Sequence, residues 1–172
     1  LNLTVEQEQV LSSLKRYRNL ELSPTEGLPM FISTTGYTGE SGYEIYASGT
    51  KIIELWDALL AAGCVPCGLG SRDALRLEAG LPLYGHEMSA EINPLDAGMD
   101  FFVKFDRKFQ GEAMQGQNTR KIVRLVAQGK QIPRDGYPVF YDEEEVGYVT
   151  SGTYSPTLLK GIANALVRVD LP

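Results

Sequence analysis

The stretch that most constrains the fold is residues 68–85, where glycines enclose a short helical pattern. It reads GLGSRDALRLEAGLPLYG. Glycine frees the backbone on either side, Ser71 is a residue type that caps helix N-termini, and Gly80 is a residue type that ends helices. The pattern therefore predicts a helix from about Arg72 to Ala79, preceded by a loop that leaves the first N–H groups unpaired.

Arg72 stands at the predicted amino end of this helix. Unpaired N–H groups and the helix dipole favour an anion at such a junction, and the permanent cation of Arg72 adds to that preference. Arg76 lies four residues later and shares the face of Arg72. Arginines at this spacing also form ordinary surface or interdomain ion pairs, so a structural role stays open beside the ligand site.

The composition is that of a globular protein with a hydrophobic core. Of the 172 residues, 43% are hydrophobic, which is enough for one or two domains. The net charge is −6 and the 16 basic residues form no long run, which disfavours a nucleic-acid partner. Apolar stretches stay well below the ~20 residues of a membrane helix, and no signal-peptide pattern occurs. We expect a soluble intracellular protein whose ends, Leu1 and Pro172, are both truncated.

The two cysteines, Cys64 and Cys67, form a CVPC motif. Such a motif occurs in redox pairs and in half of a zinc site. A zinc site needs a second pair of ligands, which the sequence does not offer. We therefore interpret the motif as part of a short strand that follows the helix-ending Gly63.

The first hundred residues combine helix and strand patterns. Thr4 and Gln7 form a capping box, and the helix that it opens is predicted to end near Arg18. The elements that follow are a connector at 19–27, strands at 28–33 and 43–47, and a helix at 50–62. Helices mixed with a strand-turn-strand pair predict an α+β fold, with helices on a largely antiparallel sheet.

The later part of the chain is rich in strand patterns. They lie at 101–105, 122–127, 137–141, 146–151 and 162–169. The spacing of the last four is typical of a small sandwich or barrel. The polar stretch 108–120 marks a change in composition, and the acidic run Asp142–Glu145 is interpreted as an exposed hairpin tip rather than a metal-binding loop.

Glu44 is the candidate ligand-binding carboxylate. It follows a turn with three glycines in seven residues, at 36–42, and Gly42 leaves the neighbouring face of the strand uncovered. A carboxylate accepts two parallel N–H bonds, for example from a guanidinium or from a 2-amino-pyrimidinone ring. An ion pair with Arg72 or Arg76 is the structural alternative.

Tyr37, Tyr84 and His86 are three further side chains to consider for this site. Tyr37 stands in the glycine-rich turn and Tyr84 follows the predicted helix, and either ring could stack on a planar ligand or cover the core. His86 is the only histidine of the chain. A lone histidine makes neither a catalytic triad nor a metal site, so we interpret His86 as structural.

Two long motifs resemble the aminomethyltransferase, or T-protein, family of the glycine cleavage system. They are TTGYTGESGYEIY at 34–46 and CGLGSRDALRLEAGLPLYGHEMSAEINPLDAGM at 67–99. The resemblance continues through KFQGEAM at 108–114 and VTSGTYSPTLLKGIANALVRV at 149–169. It implies the later part of such a protein, with a partial folate-binding domain at 1–107 and a small, incomplete β-barrel at 108–172.

The resemblance implies a tetrahydrofolate-dependent aminomethyltransferase. A family member takes the aminomethyl group carried on the lipoyl arm of the H-protein, releases ammonia and leaves methylene-tetrahydrofolate. Carried over by motif, Glu44 and Arg72 are implied folate or substrate contacts, and Tyr37 is implied to line the pterin. No metal is implied.

The same resemblance limits what this chain is expected to do alone. The family's catalytic aspartate lies upstream of these motifs, so we expect no catalytic residue in this chain and no activity from it by itself. We also expect a monomer that works with the lipoylated H-protein, in the cytoplasm of a bacterium or in the mitochondrial matrix of a eukaryote.

Other members of the wider folate-binding group remain alternatives. The folate domain of a demethylating dehydrogenase would be joined to an upstream flavin domain. A folate-dependent iron–sulfur repair protein carries a KGCxxGQE signature, and the stretch Lys108–Glu112 lacks its cysteine. A non-catalytic binding module is the third alternative.

Overall fold

Three short strands form an antiparallel sheet near the start of the chain, in the order β1-β2-β3. The structure is a computed structural model that describes residues 4–22 and 30–171. The strands are β1 (Asn19–Leu22), β2 (Met30–Ser33) and β3 (Glu44–Tyr46). Ser33 lies directly opposite Glu44 in the register, so the two ends of the glycine-rich turn meet.

Strand β1 shows that the predicted connector at 19–27 is wrong over its first four residues. Leu20 and Leu22 alternate with polar residues, and Leu22 is buried. This period of two is typical of a half-buried strand. The predicted strand at 28–33 is confirmed for Met30–Ser33. The remainder of both ranges, residues 23–29, lies outside the described residues.

Two helices cover one face of this sheet. They are α1 (Val5–Ser13) and α2 (Gly49–Ala61). The buried core consists of Leu22, Met30, Ile32 and Leu55, with Leu11, Leu20, Ile45 and Ala47 packed against it. Burial of side chains of this size contributes roughly 1.5–3 kcal/mol each. The predicted layer of helices on an antiparallel sheet is therefore confirmed.

Helix α1 begins with the predicted capping box. The Thr4 amide donates to Gln7 Oε1 at 2.9 Å, and the Gln7 amide donates to Thr4 Oγ1 at 3.2 Å. The helix ends at its C-cap Leu14, not near Arg18. The Arg18 amide instead donates to the hydroxyl of Thr34 at 3.0 Å, so this segment follows the sheet and leaves the helix.

Helix α2 confirms the helix predicted at 50–62 to within one residue at each end. Five apolar side chains that its pattern predicts to face the core are exposed by 37% to 63%: Ile52, Ile53, Trp56, Leu59 and Leu60. Leu55 is the residue of this helix that is buried. The apolar face of α2 is therefore wider than the part of this helix that packs on the three-stranded sheet.

Helix α3 (Leu69–Glu78) begins three residues before the predicted start. Ser71 therefore lies inside the helix and is not its N-cap. The Arg72 amide donates to the carbonyl of Gly68 at 3.1 Å. It is therefore not one of the unpaired N–H groups predicted at the start of the helix. The predicted stop is confirmed, because Gly80 adopts φ +71° just after the helix.

The strand predicted after Gly63 is wrong. Residues 64–68 have no regular secondary structure, and Cys64 and Cys67 are both exposed. Pro66 has no N–H to donate to a neighbouring strand. The CVPC motif therefore lies in an open connection between α2 and α3.

A second antiparallel sheet follows, with the order β4-β7-β6-β5. Its strands are β4 (Arg120–Val126), β5 (Pro138–Tyr141), β6 (Glu144–Ser155) and β7 (Lys160–Arg168). Val146, Ala165 and Val167 form its buried centre. Strands β4 and β5 form the two edges, so the sheet described here is open and the predicted incomplete barrel is confirmed.

The acidic run forms the predicted hairpin tip. Asp142 and Glu143 adopt φ of 49° and 67° between β5 and β6, as a two-residue hairpin turn requires. Strand β6 is longer than predicted, because it keeps pairing with β7 as far as Ser155. The strand therefore extends past the predicted end at 151.

The aromatic strand predicted at 101–105 is wrong. Asp100–Phe102 forms a single 3-10 turn, and Phe101 and Phe102 are 75% and 70% exposed. Aromatic residues stabilise a strand through packing against neighbouring strands, so their presence alone does not make a segment extended.

The described chain divides into two compact units, Leu1–Arg72 and Asp73–Pro172. The first contains the β1-β2-β3 sheet and the second contains the β4-β7-β6-β5 sheet. The domain limits predicted from the sequence, 1–107 and 108–172, remain a prediction.

Candidate functional site

The glycine-rich turn forms the long loop between β2 and β3. It spans residues 34–43, and the pairing of Ser33 with Glu44 closes its base. Gly39 adopts φ +78°. A Cβ atom added at Gly36 or Gly42 would meet no atom within 4 Å. The chain is therefore open at both glycines, which leaves room for a flat ligand to approach the loop there.

The Glu44 carboxylate lies at the base of this loop and is half-buried. Its Oε2 accepts a hydrogen bond from the Thr35 hydroxyl. Among the described residues, its other oxygen, Oε1, has no hydrogen-bond partner, and no ion pair joins Glu44 to Arg72. A carboxylate offers about four acceptor positions, so both oxygens of Glu44 can still accept N–H groups from a ligand.

Tyr37 and Arg72 contact each other in the same unit. The Arg72 guanidinium lies over the Tyr37 ring, with Cζ 4.4 Å from the ring centroid. This is the geometry of a cation–π contact. Arg72 is exposed and Tyr37 is half-buried, so a cation is held at the surface of an aromatic ring beside the loop.

Arg76, which the sequence pattern places on the same helix face as Arg72, is held by structural contacts within the protein. It is 1% exposed. Its guanidinium donates to Asp73 Oδ1 at 2.7 Å, to Glu87 Oε2 at 2.9 Å and to Ser151 Oγ at 2.8 Å. Burial lowers the pKa of Arg76, but its hydrogen bond to Asp73 and the charges of Glu87 and Asp73 raise the pKa above its ordinary value. These contacts satisfy Arg76 within the second unit.

Glu87 is the polar residue that sequence reasoning missed. It is 1% exposed, and Thr150 donates to its Oε1 at 2.7 Å while the Leu83 amide donates to its Oε2 at 2.9 Å. Burial raises the pKa of Glu87, but hydrogen bonds from Ser151, Thr150 and the Leu83 amide, with the charge of Arg76, hold it below its ordinary value. The sequence feature that could have indicated this buried carboxylate is its position in the largely apolar stretch LPLYGHEM.

The remaining candidates, Tyr84 and His86, fall in the second unit, as does the carboxylate of Glu78. His86 Nδ1 lies 2.8 Å from the carbonyl oxygen of Thr150, and 3.8 Å from Asp135 Oδ2. Tyr84 is 73% exposed. The hydrogen bonds from Ser155 and Thr157 lower the pKa of Glu78 against the opposing effect of burial. These contacts give His86 and Glu78 local structural partners.

Neither a metal-binding cluster nor a membrane-spanning helix occurs in the described residues. Within residues 4–22 and 30–171, no group of three or more His, Cys, Asp or Glu side chains is placed to hold a metal ion. No helix in that part of the chain combines the length and the apolar character needed to span a membrane.

Family models match both parts of the chain. The model described as the GCVT N-terminal domain matches residues 3–107, and the model described as the glycine cleavage T-protein C-terminal barrel domain matches residues 120–172. The chain belongs to the glycine cleavage T-protein family. The resemblance found in the sequence motifs is thereby confirmed.

Similar T-protein relatives come from several bacteria. The chain is 44% identical over 174 residues to the aminomethyltransferase of Shouchella clausii, covering 95% of this chain and 47% of that protein. It is 44% identical over 172 residues to that of Geobacillus kaustophilus, covering 94% and 47%. It is 47% identical over 164 residues to that of Synechococcus elongatus, covering 91% and 44%. The chain thus spans about half the length of the curated relatives it matches.

A solved T-protein structure has the same fold. The crystal structure of glycine cleavage system aminomethyltransferase T from Bartonella henselae is similar to this chain with a TM-score of 0.82 and 31% identity. The similarity covers 92% of this chain and 46% of that chain. The two sheets described above are therefore those of a T-protein fold.

Proposed function

We propose that this chain supplies the folate-binding part of a tetrahydrofolate-dependent aminomethyltransferase of the glycine cleavage system. Family membership supports the reaction class, and the position of Glu44 at the base of the loop supports the folate site. In this reaction, the methylene carbon of the aminomethyl group on the lipoyl arm of the H-protein passes to tetrahydrofolate, and its nitrogen leaves as ammonia. Ammonia, methylene-tetrahydrofolate and dihydrolipoyl H-protein are the products.

The observation that carries the proposal is the state of the Glu44 carboxylate. One oxygen is held by Thr35, and lone pairs on both oxygens remain able to accept. The 2-amino-pyrimidinone edge of a pterin presents two adjacent N–H donors, which match a carboxylate in parallel. Glu44 binds and orients this edge in the proposal, so the pterin enters the loop with its amino group toward β3.

Tyr37 and Arg72 complete the proposed site. The Tyr37 ring supports a planar ligand by stacking, and the cation of Arg72 over that ring meets an anionic part of the substrate or fixes the ring. The chain's own residues therefore bind and orient the substrate. The proposed location is the cytoplasm in a bacterium or the mitochondrial matrix in a eukaryote.

The test uses this chain alone and within a full-length protein. In a chimera, residues 1–172 replace the matching half of the Geobacillus kaustophilus aminomethyltransferase. We expect the chimera to release ammonia from aminomethylated H-protein with tetrahydrofolate, and the chain alone to release none. Absence of ammonia release and of tetrahydrofolate binding in a folded chimera would refute the proposed function.

Glu44→Ala tests the assigned contact in the same chimera. We expect tetrahydrofolate binding, measured by calorimetry, to weaken by about 2–5 kcal/mol, because a desolvated hydrogen-bonding edge loses its partner. Glu40→Ala is the matched control, since Glu40 is an exposed carboxylate of the same loop. Unchanged affinity in Glu44→Ala would remove Glu44 from the site.

A further inference from the structure

Three polar side chains form a directed series at the base of the loop: Ser33, Thr35 and Glu44. Ser33 and Glu44 are opposite each other on β2 and β3, so their side chains lie on the same face of the sheet. Thr35 follows Ser33 by two residues. Its hydroxyl contacts both the carboxylate of Glu44 and, at 2.9 Å, the hydroxyl of Ser33.

The direction of these hydrogen bonds follows from the number of protons. A hydroxyl has one hydrogen to donate, and an ionised carboxylate only accepts. Thr35 must therefore donate to Glu44 Oε2, and Ser33 must donate to Thr35. The hydrogen of Thr35 is committed to the carboxylate, and Ser33 fixes the hydroxyl in that orientation.

This series affects how Glu44 can bind a ligand. A glutamate side chain loses rotamer freedom when it forms a fixed contact, and that loss opposes binding. Thr35 holds one carboxylate oxygen before any ligand arrives, and its methyl-bearing side chain is part-buried with the hydrogen bond. The second oxygen is thereby presented in a defined direction.

We propose that Thr35 is a positioning residue for Glu44, and that its hydroxyl sets both the affinity and the selectivity for a ligand with two adjacent N–H donors. This inference rests on the proposed folate site. Thr35 acts through the carboxylate and does not touch the ligand itself. Ser33 orients Thr35 from the preceding strand.

The test compares Thr35→Val, Thr35→Ser and Thr38→Val, in the 172-residue chain and in the chimera. Valine keeps the shape of threonine without the hydroxyl, and serine restores the hydroxyl. Thr38 is the matched control, because it lies in the same loop and its hydroxyl accepts a bond from the Glu40 amide at 3.4 Å. The ligands are tetrahydrofolate and its 2-desamino analogue, which lacks one of the two adjacent donors.

We expect Thr35→Val to weaken tetrahydrofolate binding roughly tenfold, the effect of disturbing one hydrogen-bonded charged pair. Thr35→Ser should restore most of the affinity, and Thr38→Val should bind like the unsubstituted protein. The 2-desamino analogue should bind Thr35→Val and the unsubstituted protein almost equally. If Thr35 only maintained the shape of the loop, Thr35→Val would weaken both ligands equally, and the ratio of their affinities would not change.

The other outcomes are distinguishable. If the unsubstituted chimera binds no tetrahydrofolate, the proposed function fails and the role of Thr35 fails with it. If tetrahydrofolate binds and Thr35→Val matches the unsubstituted protein, only the positioning role is overturned. Equal weakening of both ligands, or failure of Thr35→Ser to recover binding, would also overturn it.

Discussion

The carboxylate of Glu87 and the guanidinium of Arg76 form a buried ion pair in which Glu87 Oε2 lies 2.9 Å from Arg76 Nη1. Both side chains are 1% exposed. Removing two charges from water is unfavourable, and the pair is tolerated because further hydrogen bonds satisfy its remaining atoms. Thr150 and the Leu83 amide donate to Glu87, and Arg76 donates to Ser151 Oγ. The pair and its hydrogen bonds to Thr150 and Ser151 therefore link α3 to strand β6.

Glu87→Gln is expected to destabilise the protein by about 3 kcal/mol at neutral pH, because it removes the buried carboxylate that pairs with Arg76 and leaves the more exposed Asp73 as the remaining counter-charge. The folded pKa of Glu87 is lower than its ordinary value. Its stabilising contribution is therefore complete above the ordinary carboxyl pKa and disappears as the pH falls through the lower, folded pKa.

Urea unfolding at a series of pH values measures this effect. The difference between Glu87→Gln and the unsubstituted chain should shrink as the pH falls below the ordinary carboxyl pKa. Glu145→Gln, at an exposed position of β6, should stay within about 0.5 kcal/mol throughout. A difference for Glu87→Gln that is the same at pH 7 and in acid would contradict the role of this charge.

The contact between Arg72 and Tyr37 is testable by a double-mutant cycle of Arg72→Met and Tyr37→Leu. The cycle cancels the other contacts of each residue and leaves their coupling. Because Arg72 is exposed, we expect a coupling of about 0.5–1 kcal/mol in the free energy of unfolding. A coupling indistinguishable from zero would show that the observed 4.4 Å contact contributes nothing to stability.

Gly147→Ala is expected to destabilise the second sheet. A Cβ atom at this position would lie 2.0 Å from the carbonyl oxygen of Leu166 and 2.8 Å from Val167 Cα. Both are backbone atoms of the paired strand β7, so the clash cannot be relieved by rotating a side chain. We expect a loss of about 1–3 kcal/mol and a lower thermal midpoint.

Gly129→Ala is the matched control for this substitution, because a Cβ atom there would meet nothing within 4 Å. Its thermal midpoint should remain close to that of the unsubstituted chain. Equal midpoints for Gly147→Ala and Gly129→Ala would be inconsistent with close packing of β6 on β7.

The N-caps of α1 and α2 should respond differently to alanine. Thr4 accepts the Gln7 amide, whereas Ser48 makes no side-chain capping bond and its Oγ is buried without a partner among the described residues. Thr4→Ala should lower the stability of α1 by ~1 kcal/mol, and amide hydrogen exchange in that helix should accelerate about fivefold. Ser48→Ala should leave α2 as stable or more stable, since it removes an unsatisfied polar atom. Equal acceleration in both helices would contradict the capping geometry.

Patterns confined to a few neighbouring residues predicted much of the secondary structure. The capping box at Thr4, the stop at Gly80 and the hairpin tip at Asp142 and Glu143 are all found. Each depends on the conformational preference of one or two residues and on hydrogen bonds within one turn. The strand predicted at 101–105 failed because pairing with another strand, which a local pattern does not contain, decides whether such a segment is extended.

The candidate site was predictable to a similar degree. The glycine-rich loop placed Glu44 and Tyr37 on one hairpin, because the two strands beside the loop are adjacent in sequence. The hydroxyl of Thr35 was not predicted as the partner of Glu44, although it lies only nine residues away. The sequence left open an ion pair of Glu44 with Arg72 or Arg76. In the structure, Arg72 contacts the ring of Tyr37 and Arg76 forms an ion pair with Glu87.

By itself, the sequence determined the family, the α+β class and most of the helices and strands, because motif order and short-range periodicity are written along the chain. The tertiary structure alone decided which charged residues are buried and which apolar ones are exposed. Arg76 reaches Ser151 across 75 positions, while Trp56 on a strongly apolar helix remains 53% exposed. Burial depends on which surfaces meet in space, and no local pattern encodes that.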